Sequence, residues 1–186
     1  MRRATVVALC VACVAPAMAD QPLLRPTRDV DVTYRSATPR GTMVEQRVRW
    51  LAATQTMRID PAPSGLHVII DYVARRMSVV RDATRSVVEM TAPDSMAGPA
   101  AGGGTAVSFV RRGEAMVAGE RCTEWQTQDR DAHEALVCVT ADGVLLRAGS
   151  ADQVRVSAVS VRYAPQDPAA FRVPADYAHQ VPDGGR

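Results

Sequence analysis

Apolar and polar residues alternate with period two along most of this chain. Val30, Val32 and Tyr34 share one side of "DVDVTYR", and after Pro39-Arg40-Gly41 the residues Val44, Val48 and Trp50 share one side of "MVEQRVRW". A period of two places every second side chain on one face of an extended backbone, so these stretches predict two strands joined by a turn. Met57 and Ile59 alternate in "TMRID", Pro61-Ala62-Pro63-Ser64-Gly65 punctuates, and Leu66, Val68, Ile70 and Tyr72 line one face of "LHVIIDY". The pattern continues in "MSVV" and "SVVEM" on either side of Asp82-Ala83-Thr84. The first half therefore predicts a meander of about six short strands.

From Thr91 to Gly104, "TAPDSMAGPAAGGG" loses the period and reads as a flexible loop dividing the sheet into two halves. Strands resume with "TAVSFV", a turn is expected at Arg111-Arg112-Gly113, and extended structure continues through "AMVAGERCTEWQT", "EALVCVT" and "VLLRAG". In "QVRVSAVSVRY" the apolar phase slips: Val154 and Val156 occupy one side, Val159, Val161 and Tyr163 the other. An extra residue near Ser157-Ala158, a β-bulge, accounts for the slip. The proline-rich tail offers Phe171 and Val173 as anchors and is expected to fray from about Ala178. No segment sustains a helical period, so the fold class is mainly β, with little helix.

The stretch "RCTEWQTQDRDAHEALVCVTADGVLLR" gathers Cys122, Trp125, Cys138 and the turn pair Asp142-Gly143. Set antiparallel across the polar loop "QDRDAH", residues 121–127 and 134–140 bring the two cysteines near one another. Trp125 then falls on the face away from Cys122, and Val137 and Val139 on the face away from Cys138. Asp142-Gly143 turns the chain into a third strand.

The first residues decide how those cysteines are read. Arg2 and Arg3, an apolar run from about Ala4 to Val14, and Ala17-Met18-Ala19 before Asp20 form a secretory signal pattern too short to span a bilayer. Residues 1–19 are expected to be removed, leaving a single β-rich domain over 20–177, a flexible tail over 178–186 and a periplasmic location. Cys13 offers a lipid-anchored alternative, but Leu9-Cys10-Val11-Ala12 matches a lipidation motif poorly. Without the leader, which takes Cys10 and Cys13 with it, the chain keeps one cysteine pair. In an exported protein that reads as a structural disulfide, Cys122 to Cys138. A redox or metal pair would need C-x-x-C spacing or a histidine cluster, which the chain lacks.

The leader also changes the charge. The whole chain has 22 basic and 20 acidic residues, and the loss of Arg2 and Arg3 makes the remainder formally neutral. No basic patch for nucleic acid or polybasic membrane arm is indicated. Every basic residue other than histidine is arginine, which reads as compositional bias before recognition.

Little catalytic chemistry is written here. His67, His133 and His179 are scattered, Asp129 and Asp131 read as turn residues, and no nucleophile-elbow, H-E-x-x-H or phosphate-cradling motif occurs. Gly102-Gly103-Gly104 runs into no helix and is a linker. The expectation is a protein that is not an enzyme and carries no cofactor or metal. The apolar candidates are Trp50, Met57, Leu66, Val68, Ile70, Tyr72 and Met77, which either fill an ordinary core or line a ligand-holding face. Five of the eight methionines fall between residues 43 and 96, and methionine adapts to varied apolar partners.

The glycine before "CTEW", the second cysteine followed by "VTADGVLLR", the "MRID…LHVIIDY…MSVV" stretch and the closing "FRVP" resemble the periplasmic LolA/LppX-like proteins, from about Asp29 to Val173. The resemblance implies a curved antiparallel sheet, an incompletely closed β-barrel with an apolar concave side. It also implies a lipid or lipoprotein acyl chain as partner. The alternative is an envelope scaffold with a filled core that contacts another protein and holds no small molecule. The carriers of the family cover the concavity with helices, whereas residues 91–104 here are rich in glycine and proline.

Overall fold

The structure, a computed structural model, describes residues 21–38, 41–62, 65–92, 108–128, 134–150 and 152–180. The expected leader with Cys13, most of the expected loop over 91–104, and Asp129, Asp131 and His133 lie outside them. Twelve strands among the described residues form one sheet: β1 (Val30–Ala37), β2 (Met43–Leu51), β3 (Thr56–Pro61), β4 (Leu66–Asp71), β5 (Arg76–Arg81), β6 (Ser86–Thr91), β7 (Ser108–Val117), β8 (Glu120–Gln128), β9 (Glu134–Val139), β10 (Leu145–Gly149), β11 (Val154–Arg162) and β12 (Ala178–Gln180). Their order is β12-β6-β5-β4-β3-β2-β1-β11-β10-β9-β8-β7. Two meanders thus lie side by side, joined where β11 returns to pair with β1. The sheet is curved and not closed into a barrel, and short 3-10 turns are the helical elements described.

Register turns the alternation into continuous apolar rows. One row runs Val161–Val32–Val48–Ile59–Val68–Val79–Val88 across seven strands. Beside it, Val30–Trp50–Met57–Ile70–Met77–Met90 crosses six. Val30, Val32 and Trp50 on this side pack in one cluster with Cys122, Cys138 and Leu146 from the other half of the sheet. Residues so far apart in strand order meet only on the inside of a curve, so this face is concave.

Two irregularities keep the pattern on the right side. Thr33 pairs with Ser160 and Tyr34 with Ala158, so Val159 bulges out, 43% exposed. Val156 and Ala158 before it and Val161 and Tyr163 after it all join the concave cluster. The expected extra residue is present, one position later than its sequence reading. In β7 the expected turn at Arg111-Arg112-Gly113 is corrected: the strand runs straight through, with a register shift that leaves Arg112 unpaired. The chain reverses instead at Ala118-Gly119, both with positive φ (51° and 81°), a pair that matches the twist of a two-residue hairpin. Nothing in "VAGE" carries the usual Asn-Gly or Asp-Gly signature of such a turn.

Cys122 and Cys138 form the expected disulfide, Cα–Cα 5.4 Å. Cys138 faces Glu124 and Val139 faces Thr123, so the bond runs diagonally between β8 and β9. It points into the concave cluster, while Trp125 packs with Val137 and Val139 on the opposite face.

The C-terminal segment covers part of the convex face. Phe171 is buried, and Val173 and Tyr177 pack on Ile69, Val80 and Val87. Ala178–Gln180 pairs parallel with β6, Ala178 opposite Ser86, because Tyr177 seats the chain beside a free sheet edge.

Candidate functional site

The concave face holds a cavity of about 270 Å3. Its floor is the two apolar rows: Val30, Val32 and Tyr34 of β1, Gln46, Val48 and Trp50 of β2, Met57 and Ile59 of β3, and Ile70 of β4, with Tyr72 just beyond. Val144, Leu145 and Val156 from the other half form its wall, and Pro26 closes one end.

Pro26 belongs to a strap held by polar bonds. Thr27 N–H donates to the Asp142 carbonyl at 2.9 Å. Arg28 pairs with Asp142 at 2.5 Å and stacks on the Tyr163 ring at 3.5 Å. Asp29 accepts from the backbone N–H of Ala52 (2.8 Å) and of Gln166 (2.9 Å). The strap passes so close to the Asp142-Gly143 turn that a Cβ on Gly143 would lie 2.2 Å from the Arg25 carbonyl oxygen, and Gly143 has φ +90°. Only glycine suits that position.

Among the described residues no charged side chain lines the cavity. The Tyr34 hydroxyl donates to the Leu145 carbonyl at 2.6 Å, and its burial raises the phenol pKa beyond the usual range. Burial likewise pushes Tyr72 up to about 12; its hydroxyl is directed at the Met57 sulfur, 3.8 Å away, and its ring leans on Trp50 at 5.5 Å. Arg25 lies over the Tyr72 ring, 4.6 Å from its centre, and donates to Gln55 Oε1 at 3.0 Å. Both phenols stay neutral across the physiological range.

Of the seven residues expected from the sequence to line such a face, Trp50, Met57, Ile70 and Tyr72 border the cavity. Leu66, Val68 and Met77 do not. Val68 and Met77 continue the two rows beyond it, and Met77 is packed shut. Gln46 was missed, although the sequence carries a signal for it: it breaks the apolar set Val44, Val48, Trp50 at a position that faces inward.

The convex face is ionic. Asp31, 7% exposed, accepts from Arg47 Nε and Nη2 (2.9 and 2.6 Å) and from Arg162 Nη2 (2.8 Å). Asp60 lies between Arg49 and Arg58. A second cleft of about 470 Å3 separates β3–β6 from Pro168–Val173 and is lined by Thr56, Ser78, Asp71, Glu89, Arg76 and Arg172 among others. His67 of β4 is buried, with Nδ1 3.1 Å from Asp82, and burial lowers its pKa. Among the described residues no group of three His, Cys, Asp or Glu could hold a metal ion, and no helix is long and apolar enough to cross a membrane.

No family model matches the chain, and no curated protein matches it. Among solved structures it is similar to an uncharacterised conserved protein from Thermus thermophilus, with 14% identity, a TM-score of 0.58, and 83% of this chain and 91% of that one covered. It is also similar to MucB in the Pseudomonas aeruginosa MucA/MucB complex, with 13% identity, a TM-score of 0.53, and 80% and 56% covered. A crystal structure of MucB gives 12% identity, a TM-score of 0.54, and 83% and 60% covered, so the chain spans little more than half the length of the MucB chains it matches. At these identities the likeness is one of fold. It supports a LolA-like architecture, mainly β and curved, without showing a particular family.

Proposed function

We propose that this protein is an exported, non-enzymatic envelope protein that holds one acyl chain or comparable apolar moiety on its concave face. The observation that carries the reading is the pair of unbroken apolar rows converging on an uncharged cavity. Six strand spacings give the longer row a length of roughly 29 Å, and Val48, Met57, Ile59, Val68, Val79, Val88 and Met90 along the rows are only partly buried. A partly exposed apolar strip of that length favours an elongated apolar ligand. The secretory pattern of residues 1–19 and a disulfide, which persists in oxidising compartments, support export.

The test is thermal. An uncharged acyl probe such as 1-monolauroylglycerol is expected to raise the melting temperature of the wild type by mass action, and that of Ile70→Asp or Ile59→Gln much less. Ile59 is half-buried, so its variant is expected to fold even if Ile70→Asp does not. An unshifted wild-type curve would refute the reading.

A second reading is favoured by the solved complex of MucB with MucA. In it, this chain is an envelope domain that binds a protein partner. Native mass spectrometry of protein taken from its own periplasm separates the two, since co-purifying lipid supports the first and a stable partner on a lipid-free chain the second.

A further inference from the structure

We infer that the cavity selects an uncharged acyl derivative, an ester or amide, over a free carboxylate, and that Gln46 reads its carbonyl. This rests on the acyl-ligand reading above. Among the described residues no Asp, Glu, Arg or His lines the cavity, so a carboxylate drawn inside would lose its water without meeting a counter-charge from them, which is far more costly than burying a neutral ester.

Among the described residues four polar side chains border the space, and three are occupied or sealed. The Tyr34 hydroxyl donates to Leu145 and that of Tyr72 is turned to the Met57 sulfur. The Trp50 indole N–H has no acceptor among the described residues, but its nitrogen exposes less than 1 Å2, so a molecule filling the cavity does not reach it. Gln46 is the exception. Its Nε2 donates to Ser36 Oγ at a long 3.4 Å, which leaves the second amide hydrogen and Oε1 without a partner among the described residues. A half-buried amide with spare donor and acceptor fits a neutral carbonyl, with the carbonyl oxygen accepting from Nε2–H and any adjacent hydroxyl or amide N–H donating to Oε1.

Position agrees with chemistry. Gln46 stands in the row Tyr34–Gln46–Pro61, one step beyond Val32–Val48–Ile59 and away from the end that Pro26 closes. An acyl chain with its tail among Trp50, Met57 and Pro26 therefore brings its polar end to Gln46. Arg25 lies at the opposite end, over Tyr72, and a bound carboxylate would have to enter reversed to use it.

Calorimetric titration at pH 8 with 1-monolauroylglycerol, laurate and dodecane tests this on the full-length exported protein. The ester is expected to bind at least tenfold more tightly than laurate. Gln46→Leu is expected to weaken the ester about five- to tenfold while leaving dodecane unchanged, with an unaltered melting temperature as the folding control. Laurate binding as tightly as the ester, or more tightly with a loss on Arg25→Gln, overturns the inference and assigns the polar end to the strap. An unaffected Gln46→Leu also overturns it. Equal binding of all three probes sinks the inference alone, whereas binding of none sinks the acyl-ligand reading with it.

Discussion

Asp31 shows how a single carboxylate can tie three strands together. It sits on the convex face of β1, and the guanidinium of Arg47 on β2 and of Arg162 on β11 both donate to it. The Arg47 hydrogen bonds hold its pKa below the usual carboxylate range; burial opposes them and Arg162 assists. A depressed folded-state value means the carboxylate adds stability above the unfolded value near 4 and loses it as pH falls through the folded one. Asp31→Asn is therefore expected to cost about 1–3 kcal/mol at pH 7, with the gap from the wild type narrowing below about pH 4. Urea denaturation at pH 7 and pH 3 measures both, and an unchanged gap at pH 3 would assign the loss to something other than charge. None of this was legible in the sequence. Arg47 lies 16 residues away and Arg162 lies 131 away, and only the strand order β11-β1-β2 brings them to one carboxylate.

At the scale of elements, alternation was legible wherever one face is buried and the other wet. The first six strands and the slip in "QVRVSAVSVRY" follow from that pattern, because a side-chain period of two makes any inserted residue visible as a change of face. Arg111-Arg112-Gly113 misled for the same kind of reason. A glycine after two arginines resembles a turn, yet the hairpin β7–β8 continues past it with Arg112 as the extra residue. Bulges and turns share their residue preferences. The Val159 bulge gives a sharp test. Val159→Ala removes a side chain that is 43% exposed and is expected to cost under about 1 kcal/mol. Deleting Val159 removes the extra residue and leaves Val156, Ala158, Val161 and Tyr163 on one face by plain alternation, so that variant is expected to keep most of the domain's stability. Deleting Val159 and Ser160 together makes Ala158 and Val161 neighbours, turns either Val156 and Ala158 or Val161 and Tyr163 to solvent, and is expected to collapse the denaturation midpoint. Equal effects of the two deletions would mean that the two halves of β11 do not need a common face.

For the whole molecule, the candidate site was half legible. Trp50, Met57, Ile70 and Tyr72 come from consecutive strands of one meander, and local alternation reaches them. Val144, Leu145 and Val156 come from the other meander, and Pro26 from the strap; they face the cavity only because the sheet curves, and no local period encodes curvature. Curvature also separates two kinds of apolar residue. Leu146 is fully enclosed in the cluster that joins the halves, whereas Ile59 is half-buried and borders open space. Leu146→Ala is expected to cost about 2–5 kcal/mol, since atoms packed on all sides lose their contacts and leave a void. Ile59→Ala removes a side chain that already lacks neighbours on one side, so its cost in ligand-free protein is expected to be smaller, about 1–2 kcal/mol. With an acyl probe present the ranking of the two on ligand response reverses. A ligand at a hundred times its dissociation constant adds about 2.7 kcal/mol, and Ile59→Ala is expected to forfeit part of that gain by weakening binding, while Leu146→Ala keeps it whole. Chemical denaturation of the wild type and both variants, with and without probe, gives all the differences. Equal ligand-free losses at the two positions, with no change in the probe's effect at Ile59, would make the concave rows an ordinary closed core.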